Sequence, residues 1–410
     1  VRGFGVWGWV GRGLGGGLVN PAVRALFPGA GRRAYFDIAA RCLLAEPVRN
    51  AAAAHLETRM RDGGDKDELR AVVEEARSDF AALVGADPEE IAITKNVSDG
   101  LNLFAASLPW RAGDNVVFCP ELEHPNNIYL WYNLRRTRGV EVRPVAPVDG
   151  EVPVEAMVAA MDGRTRLVTV PSISFAPGFV TDMEPVAAAA REVGALTLVD
   201  AAQSVGAAVT DVRRPGIDAL AVATQKCLLS LYGFGFLYVR REVADELIPG
   251  HVARYGIELD GAHETAFSAD ELRYRPGAMR FDVGNYNYLG AVAARAALGL
   301  IRRWTVEAVE AHVCRVAGQL AAGFAELGLP VVGGASSPRR AHIVTVGASG
   351  GGRHYTADDP AMNALHARLN ADGVRLAVRS GVLRFSVGVY NDDSDVERVL
   401  ASARGWIGDR

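Results

Sequence analysis

Two charged residues that follow apolar segments suggest what chemistry this 410-residue chain performs. Asp200 ends the segment ALTLVD, and Lys226 follows the next apolar segment, DALAVAT. A lysine amine is a nucleophile towards carbonyl groups, and a carboxylate can keep a pyridine nitrogen protonated. The pair by itself is also compatible with a structural ion pair or with two helix caps.

Further polar residues follow the other apolar segments and make the pair more informative. The turn KNVSDGLN offers backbone N–H groups and the positive end of a helix, both of which suit a phosphate. An aromatic ring at His124 can stack on a pyridine face. The residues that come directly after predicted strands are Asn96, Val97, Ser98, His124, Ser174, Phe175, Asp200, Thr224, Gln225 and Lys226. As a set, they predict a site for pyridoxal 5'-phosphate (PLP).

The elements that must position these residues alternate regularly between about residues 68 and 240. Amphipathic helical segments alternate there with short, nearly continuous apolar segments typical of buried strands. Such alternation predicts an α/β fold with a mostly parallel sheet covered by helices on both faces. Ligands bind at the carboxyl ends of the strands in sheets of this kind. The candidate residues are therefore expected to meet at one edge of the sheet.

The length of the chain predicts two packed units, because one hydrophobic core rarely grows to 410 residues. After about residue 255 the pattern changes to two long helices and then short strands around a helix. We therefore predict an N-terminal extension over 1–34, a large PLP-binding domain over 35–260 and a smaller α+β domain over 261–410.

Composition excludes several classes of partner. Hydrophobic residues make up 49% of the chain, charged residues 22%, and the net charge is −4, without a concentrated basic patch that would indicate nucleic acid. No apolar stretch is long enough to span a bilayer. The four cysteines are far apart in the sequence and form neither a disulfide framework nor a metal motif. These features predict a cytoplasmic enzyme with a small-molecule substrate, no resident metal and no membrane or nucleic-acid partner.

Several motifs resemble those of one known family. From Tyr35 to Asn391 the chain resembles the class V aminotransferase family of fold-type I PLP enzymes, which includes cysteine desulfurases and isopenicillin N epimerase-like proteins. The motifs appear in the family's order: YFDIAA, ELEHPNN, LTLVDAAQSVGA, DALAVATQKCLLSLYGFGFLYVR, RFDVGNYNYLGA and VLRFSVGVYN. The resemblance implies a seven-stranded sheet and a homodimer with shared active sites.

The resemblance also implies roles for individual residues. Lys226 corresponds to the lysine that holds PLP as a Schiff base, Asp200 to the partner of the ring nitrogen, and His124 to the ring-stacking residue. The other implied cofactor-binding residues are Gln203 at the phenolic oxygen, Val97, Ser98, Thr224 and Gln225 around the phosphate, and Asn285 at the phosphate of the neighbouring subunit. Gln225 departs from a histidine that is frequent in the family, and Phe175 from an asparagine.

Two arginines are candidates for substrate binding. Arg384 corresponds to the arginine that holds the substrate's α-carboxylate, a role that suits a planar and permanently charged guanidinium. The alternative is a surface arginine at the start of a strand. Arg41 stands where relatives carry a small residue, and a second anionic group of the substrate is one possible ligand for it.

The positions of the cysteines limit which PLP-dependent reaction is expected. A cysteine desulfurase needs a nucleophilic cysteine on a mobile loop, and the loop 347–360 contains none. Cys314 lies in a helical pattern, and Cys227 directly follows Lys226. We therefore expect a carbon–sulfur β-lyase acting on an S-substituted cysteine in thiol or specialised metabolism. The alternatives are an aminotransferase, an epimerase, a decarboxylating oxidative deaminase and, in a different class, a non-catalytic binding subunit.

Overall fold

The computed structural model describes residues 21–258, 272–350 and 355–410. The strands are β1 (Ala34–Tyr35), β2 (Ile91–Thr94), β3 (Asn115–Phe118), β4 (Glu141–Pro144), β5 (Thr165–Pro171), β6 (Leu196–Asp200), β7 (Ala219–Ala223), β8 (Gly235–Val239), β9 (Ile343–Val346), β10 (Val374–Arg375), β11 (Ala377–Arg379) and β12 (Val382–Ser386). The helices are α1 (Pro21–Ala25), α2 (Glu46–Arg61), α3 (Lys66–Val84), α4 (Val97–Ser107), α5 (Tyr129–Arg138), α6 (Val154–Ala159), α7 (Met183–Glu192), α8 (Arg241–Glu246), α9 (Tyr288–Trp304), α10 (Val306–Glu326), α11 (Pro360–Ala371) and α12 (Asp393–Gly408).

A seven-stranded sheet forms the centre of the fold, in the order β2-β8-β7-β6-β5-β3-β4. β8 runs antiparallel to both of its neighbours, and the remaining pairs are parallel. The prediction of a mostly parallel sheet flanked by helices is thereby confirmed. β2 runs in the same direction as β7, so the turn after β2 and the turn after β7 lie at one edge of the sheet.

Both faces of this sheet are buried under helices. Successive residues of a strand point to opposite faces. Val168 and Val199 accordingly pack into the apolar cluster that contains Phe80 of α3. Their chain neighbours Leu167 and Leu198 pack into a second cluster on the opposite face. This double burial explains why the strand sequences are continuously apolar.

The C-terminal part of the chain forms a second, smaller sheet. β11, β12 and β9 pair antiparallel in that order, and β1 pairs parallel with β10. The β1–β10 pairing and a bridge between Asp37 and Ser386 tie the segment before α2 to the C-terminal strands. The segment after β1 is therefore held against strand β12.

The two proposed domain boundaries stay predictions. The boundary between residues 260 and 261 lies outside the described residues, as do residues 1–20 of the proposed extension. Within the described part, α9 packs against α2 and α3. Among the residues that the structure describes, no helix has the length and apolar character that a membrane crossing requires.

Candidate active site

One cavity of about 710 Å³ opens at the carboxyl edge of the large sheet and is closed on its other side by the C-terminal strands. It gathers residues from both sheets and from the segment after β1. Of the predicted site residues, those that line it are Arg41, Val97, Ser98, His124, Asp200, Gln203, Gln225, Lys226 and Arg384. Thr224 and Asn285 are not among its lining residues.

The strands place Asp200 and Lys226 at the same edge. Asp200 is the last residue of β6 and pairs in register with Ala221 of β7, the strand that precedes Lys226. The buried Asp200 carboxylate accepts a hydrogen bond from the backbone N–H of Ala202, with 2.9 Å between Oδ1 and N. Burial raises the pKa of Asp200, and the nearby Lys226 opposes that rise.

Lys226 lines the cavity and is half-buried. Burial lowers the pKa of its amine, the Asp200 carboxylate opposes this, and the positive charge of Arg384 adds to the lowering. A lowered pKa increases the fraction of neutral amine, which is the form that attacks a carbonyl group. The local environment therefore prepares Lys226 as a nucleophile or a base.

The N-terminus of α4 reaches the cavity through Asn96, Val97 and Ser98. The Asn96 side chain caps the helix by accepting a hydrogen bond from the N–H of Asp99, at 3.0 Å. The first N–H groups of a helix have no partner within the helix and carry part of its positive dipole. This end of the cavity therefore suits an anion such as a phosphate.

His124 faces the cavity from the turn after β3. Its ring lies edge-on to Phe175, with 5.7 Å between ring centroids, and Nδ1 accepts a hydrogen bond from the N–H of Asn126 at 3.3 Å. Burial of the ring, together with the positive charges of Lys226 and Arg384, lowers the pKa of His124 to about 4. The imidazole is therefore neutral near pH 7 and offers a flat, uncharged ring.

Two glutamines of the site present buried oxygens without hydrogen-bond partners. Gln203 donates from Nε2 to the carbonyl oxygen of Ala39 at 3.1 Å. Within the described ranges, Oε1 of Gln203 and Oε1 of Gln225 have no partner. Buried polar atoms are normally satisfied in folded proteins, so unsatisfied ones that line a cavity indicate where a ligand binds.

Arg384 is deeply buried rather than on the surface, which excludes the surface alternative. It lies in the middle of β12 and donates from Nη1 to the carbonyl oxygen of Phe175 at 2.9 Å. Nη2 lies 3.7 Å from Oδ1 of Asp37, and Nε has no partner among the described residues. Burial and the neighbouring Arg379 lower the pKa of Arg384 to about 10, so the guanidinium remains charged at neutral pH.

Two predicted residues lie away from the cavity. The Thr224 hydroxyl donates to backbone carbonyl oxygens in the following turn, at 2.7 Å from that of Leu231 and 3.0 Å from that of Phe234. Asn285 lines a separate pocket of about 310 Å³ and accepts a hydrogen bond from the hydroxyl of Tyr255. Neither side chain is therefore among the described residues that line the cavity with Lys226.

Ser174, which follows a predicted strand, and two further polar residues, Tyr286 and His342, have local structural contacts. Ser174 accepts hydrogen bonds at Oγ from the N–H groups of Gly178 and Phe179. Tyr286 donates to Asp282, and the buried His342 lies with Nε2 3.8 Å from Sγ of Cys227. None of these is among the described residues that line the cavity.

Sequence reasoning missed the buried acid Asp37, which lies within ion-pair distance of two arginines of the site. Its Oδ1 is 3.7 Å from Arg384 and its Oδ2 is 3.5 Å from Arg375. The motif YFDIAA contained the signal, because an acid within an apolar segment is unusual. Further cavity-lining side chains without a sequence assignment are Asn126, Tyr355, His366, Arg375 and Arg379.

Glu123 was also missed, although it directly precedes His124. Its side chain is buried, and neither carboxylate oxygen has a hydrogen-bond partner among the described residues. Burial and the neighbouring Asp200 raise the pKa of Glu123 well above its ordinary value. Burial beside another carboxyl and without a cationic neighbour therefore favours the protonated form of Glu123.

These residues fit PLP. The half-buried lysine, the acid at the adjacent strand end, the neutral imidazole and the helix N-terminus match the aldehyde, ring nitrogen, ring face and phosphate of that cofactor. The unsatisfied oxygen of Gln203 and that of Gln225 mark polar contacts that a ligand would complete. The sheet order and the cavity together define the class, an α/β enzyme of the PLP-dependent type.

Comparisons with known proteins identify the family. The model of the class V aminotransferases matches residues 34–399. The chain is 33% identical over 308 residues to an uncharacterised aminotransferase, YcbU, of Bacillus subtilis, which covers 75% of this chain and 79% of that protein. The protein therefore belongs to the class V aminotransferase family, and the predicted family and PLP cofactor are confirmed.

Cysteine desulfurases are also among its relatives. A probable cysteine desulfurase of Methanothermobacter thermautotrophicus is 36% identical over 249 residues, which is 60% of each chain. The apo structure of a cysteine desulfurase from Thermococcus onnurineus NA1 superposes with a TM-score of 0.82 at 26% identity, over 95% of this chain and 98% of that one. The match extends over both sheets of the fold.

Proposed function

We propose that the protein is a carbon–sulfur β-lyase that converts an S-substituted L-cysteine into a thiol, pyruvate and ammonia. PLP, when bound, supplies an electron-withdrawing ring that accepts the electron pair released when the α-proton leaves. Loss of that proton allows the bond between the β-carbon and sulfur to break, with the electron pair leaving on the thiolate. Water then completes the conversion to pyruvate and ammonia.

The chain's own residues provide the required groups. The Nζ atom of Lys226 has a lowered pKa and takes the α-proton. Asp200, the last residue of β6, carries the negative charge that keeps the cofactor's ring nitrogen protonated. Arg384 binds the substrate's α-carboxylate with the guanidinium N–H groups that do not donate to the carbonyl oxygen of Phe175.

Five further residues are assigned to the cofactor. Val97 and Ser98 provide the helix N-terminus for the phosphate, and Gln203 and Gln225 provide amide groups. Gln225 carries no charge, so the phosphate at this position has a neutral hydrogen-bond partner. His124 covers the ring face with a neutral imidazole.

The state of the cysteines is the observation that favours elimination over persulfide transfer. All four lie in the described ranges, and none is among the residues that line the cavity. Burial raises the pKa of the thiols of Cys42, Cys119, Cys227 and Cys314 to about 12. A persulfide-forming nucleophile must be a thiolate that reaches the substrate, whereas none of these thiols lines the cavity and their raised pKa keeps them protonated near pH 7; only Cys42 and Cys314 are even partly exposed.

Product analysis of the PLP-loaded enzyme tests the proposal. With S-ethyl-L-cysteine and no 2-oxo acid, we expect pyruvate, ethanethiol and ammonia in equal amounts. Lys226→Ala should lower kcat by about 10³-fold, because a positioned proton-transfer group contributes on that order. Cys227→Ala is the matched control from the adjacent position and should retain the wild-type rate.

Other outcomes would identify the alternatives. A strict requirement for a 2-oxo acid acceptor would show transamination, racemised substrate would show epimerisation, and release of CO₂ with an aldehyde would show decarboxylating oxidative deamination. Formation of alanine from L-cysteine, lost in a cysteine variant, would show desulfuration. A protein that binds PLP without turning over any amino acid would be a binding subunit.

We further propose a homodimer in which Asn285 contacts the cofactor phosphate of the partner subunit. The exposure of Asn285 and its separation from the cavity that contains Lys226 support this arrangement. Sedimentation should give the mass of a dimer. Mixed dimers of Lys226→Ala and Asn285→Ala subunits should regain activity relative to either parent, because one of their two sites would be intact.

We also propose a cytoplasmic location and a role in thiol or specialised metabolism, without membrane or nucleic-acid partners. The four unpaired cysteines support a reducing compartment. Fractionation of the producing cells tests the location, and recovery of the enzyme from a secreted or membrane fraction would contradict it.

A further inference from the structure

The lining of the active-site cavity has an excess of positive charge. Its cationic side chains are Arg41, Lys226, Arg375, Arg379 and Arg384, whereas its carboxylates are Asp37 and Asp200. Even without Lys226, whose lowered pKa favours the neutral amine, the four arginines exceed the two acids by two charges. The two histidines of the lining do not alter this balance near pH 7, because the pKa values of His124 and His366 are lowered.

The two acids already have cationic neighbours. Asp200 interacts electrostatically with Lys226. Asp37 lies 3.7 Å from Arg384 and 3.5 Å from Arg375. Both carboxylates are thus accounted for within the cavity, and neither forms an ion pair with Arg41 or Arg379.

Arg41 and Arg379 lack a carboxylate within ion-pair distance in the described part of the chain. The Arg379 guanidinium donates to the carbonyl oxygen of Val378 at 2.7 Å and lies 4.7 Å from the ring centroid of Tyr355. Arg41 is exposed, lines the cavity and interacts with the side chains of Tyr35 and Tyr232. Both guanidiniums are therefore available to an anion that enters from solvent.

The anionic groups already assigned do not need these two arginines. The cofactor phosphate is assigned to the N-terminus of α4, on the large sheet, and the α-carboxylate to Arg384. Arg41 follows β1, and Arg379 ends β11, so both lie on the side of the cavity that the C-terminal strands and the segment after β1 provide. A guanidinium binds carboxylate-like groups through paired hydrogen bonds, which makes it selective for them.

We propose that the natural substrate carries a second anionic group on its sulfur substituent, and that Arg41 and Arg379 bind this group. The proposal rests on the lyase function proposed above and defines its substrate class. The substituent is a carboxylate-bearing or similarly anionic group a few bonds from sulfur, rather than an uncharged alkyl chain.

Two nearly isosteric compounds test the charge requirement. S-(carboxymethyl)-L-cysteine and S-(carbamoylmethyl)-L-cysteine differ in a carboxylate and an amide at the same position. The enzyme should cleave the carboxylate compound with a kcat/KM about 10- to 100-fold higher, in the range expected for hydrogen bonds to a charged group. Raising the salt concentration should reduce this preference because Arg41 is exposed.

Variants assign the preference to the two arginines. Arg41→Gln and Arg379→Gln should each lower the ratio of kcat/KM for the carboxylate compound to that for the amide compound about tenfold, whatever their effect on the activity common to both. Arg302→Gln, a surface arginine on α9 that pairs with Asp79, is the matched control and should leave this ratio unchanged. The PLP affinity of the Arg41→Gln apoprotein should equal that of the wild type, which separates substrate binding from phosphate binding.

Failure of this inference differs from failure of the lyase function. Equal cleavage of the two compounds would overturn the charge requirement and leave the lyase function intact. If neither compound releases a thiol and pyruvate, the lyase function fails, and calorimetric dissociation constants for the PLP-loaded Lys226→Ala variant still decide the charge requirement. Equal affinities there would overturn it, and tighter binding of the carboxylate compound would support it.

Discussion

Two buried arginine–aspartate pairs of this protein differ in how completely they are satisfied. Arg77 and Asp282 are both fully buried, with 2.7 Å between Nη2 and Oδ2. Arg77 also bonds Glu74 and a backbone carbonyl, and Asp282 accepts further hydrogen bonds from the N–H of Ile93 and the hydroxyl of Tyr286. This pair joins α3 to the segment before α9 and has a structural role.

The pair in the cavity is looser. Arg384 and Asp37 are as deeply buried, but 3.7 Å separates their closest atoms. Nε of Arg384 and Oδ1 of Asp37 have no hydrogen-bond partner within the described ranges. The pKa values follow the same contrast, since that of Arg77 is raised by its acidic neighbours while that of Arg384 is lowered to about 10.

The difference shows how the same residue types are used for stability in one place and for binding in another. A buried charge is stable when all its hydrogen-bonding capacity is used, and unused capacity favours a ligand that completes it. Arg77 uses four of its five N–H donors within the protein and is fully buried away from solvent. Arg384 retains unused capacity and faces the cavity that contains Lys226.

The largest expected effect comes from breaking the satisfied pair. Arg77→Ala should lower the free energy of unfolding by about 3–5 kcal/mol, because it leaves Asp282 buried without its cation. The kcat of the folded fraction should stay unchanged. Denaturant titration measures the first quantity, and Arg302→Ala, which removes an exposed ion pair, should cost less than about 1 kcal/mol. Equal losses for the two variants would contradict the structural role of Arg77.

A smaller effect, on kcat/KM rather than on stability, is expected from a substitution in the cavity. Arg384→Lys keeps the charge but loses the planar guanidinium, so kcat/KM should fall by about 100-fold, corresponding to about 2.7 kcal/mol. Because Arg384 is buried and donates to Phe175, the free energy of unfolding should also fall, but by less than in Arg77→Ala. Steady-state kinetics and denaturant titration measure the two effects. A stability loss as large as that of Arg77→Ala, with unchanged kcat/KM, would make Arg384 a structural residue.

A third effect, on the pH dependence of stability, concerns Glu123, a buried acid with no cationic partner in the described structure. Its raised pKa means that the folded protein holds the proton more tightly than the unfolded chain. The resulting stabilisation is complete below the ordinary carboxyl pKa of 4.5 and is lost as pH rises through the raised pKa of the folded state. Over that window the wild type should lose up to about 1.4 kcal/mol per pH unit.

Glu123→Gln cannot ionise and should lack this pH dependence. Its melting temperature relative to wild type should increase as the pH is raised from 5 to 8, as measured by thermal unfolding at each pH. Glu121→Gln, a change at an exposed neighbour, is the control and should follow the wild type. Parallel curves for Glu123→Gln and wild type would show that Glu123 is not held protonated.

The sequence by itself determined the main sheet and the edge at which the site lies. Alternating apolar strands and amphipathic helices are local patterns, and they predicted the mostly parallel sheet because each strand is buried on both faces. Asp200 and Lys226 follow successive strands that pair side by side. Their proximity was therefore a consequence of strand order, and the resemblance to a known family added roles for Gln203, His124 and Arg384.

The tertiary structure alone decided which other charges act together. Asp37 and Arg384 are separated by most of the chain and meet only because β1 pairs with β10 and Asp37 bridges to Ser386. The Thr224 hydroxyl is engaged by its own turn, and the boundary predicted after residue 260 lies outside the described part. Local patterns report burial and period along one segment, whereas pairing of distant segments depends on packing energies summed over the whole fold. The excess of arginines in the cavity is a property of that packing.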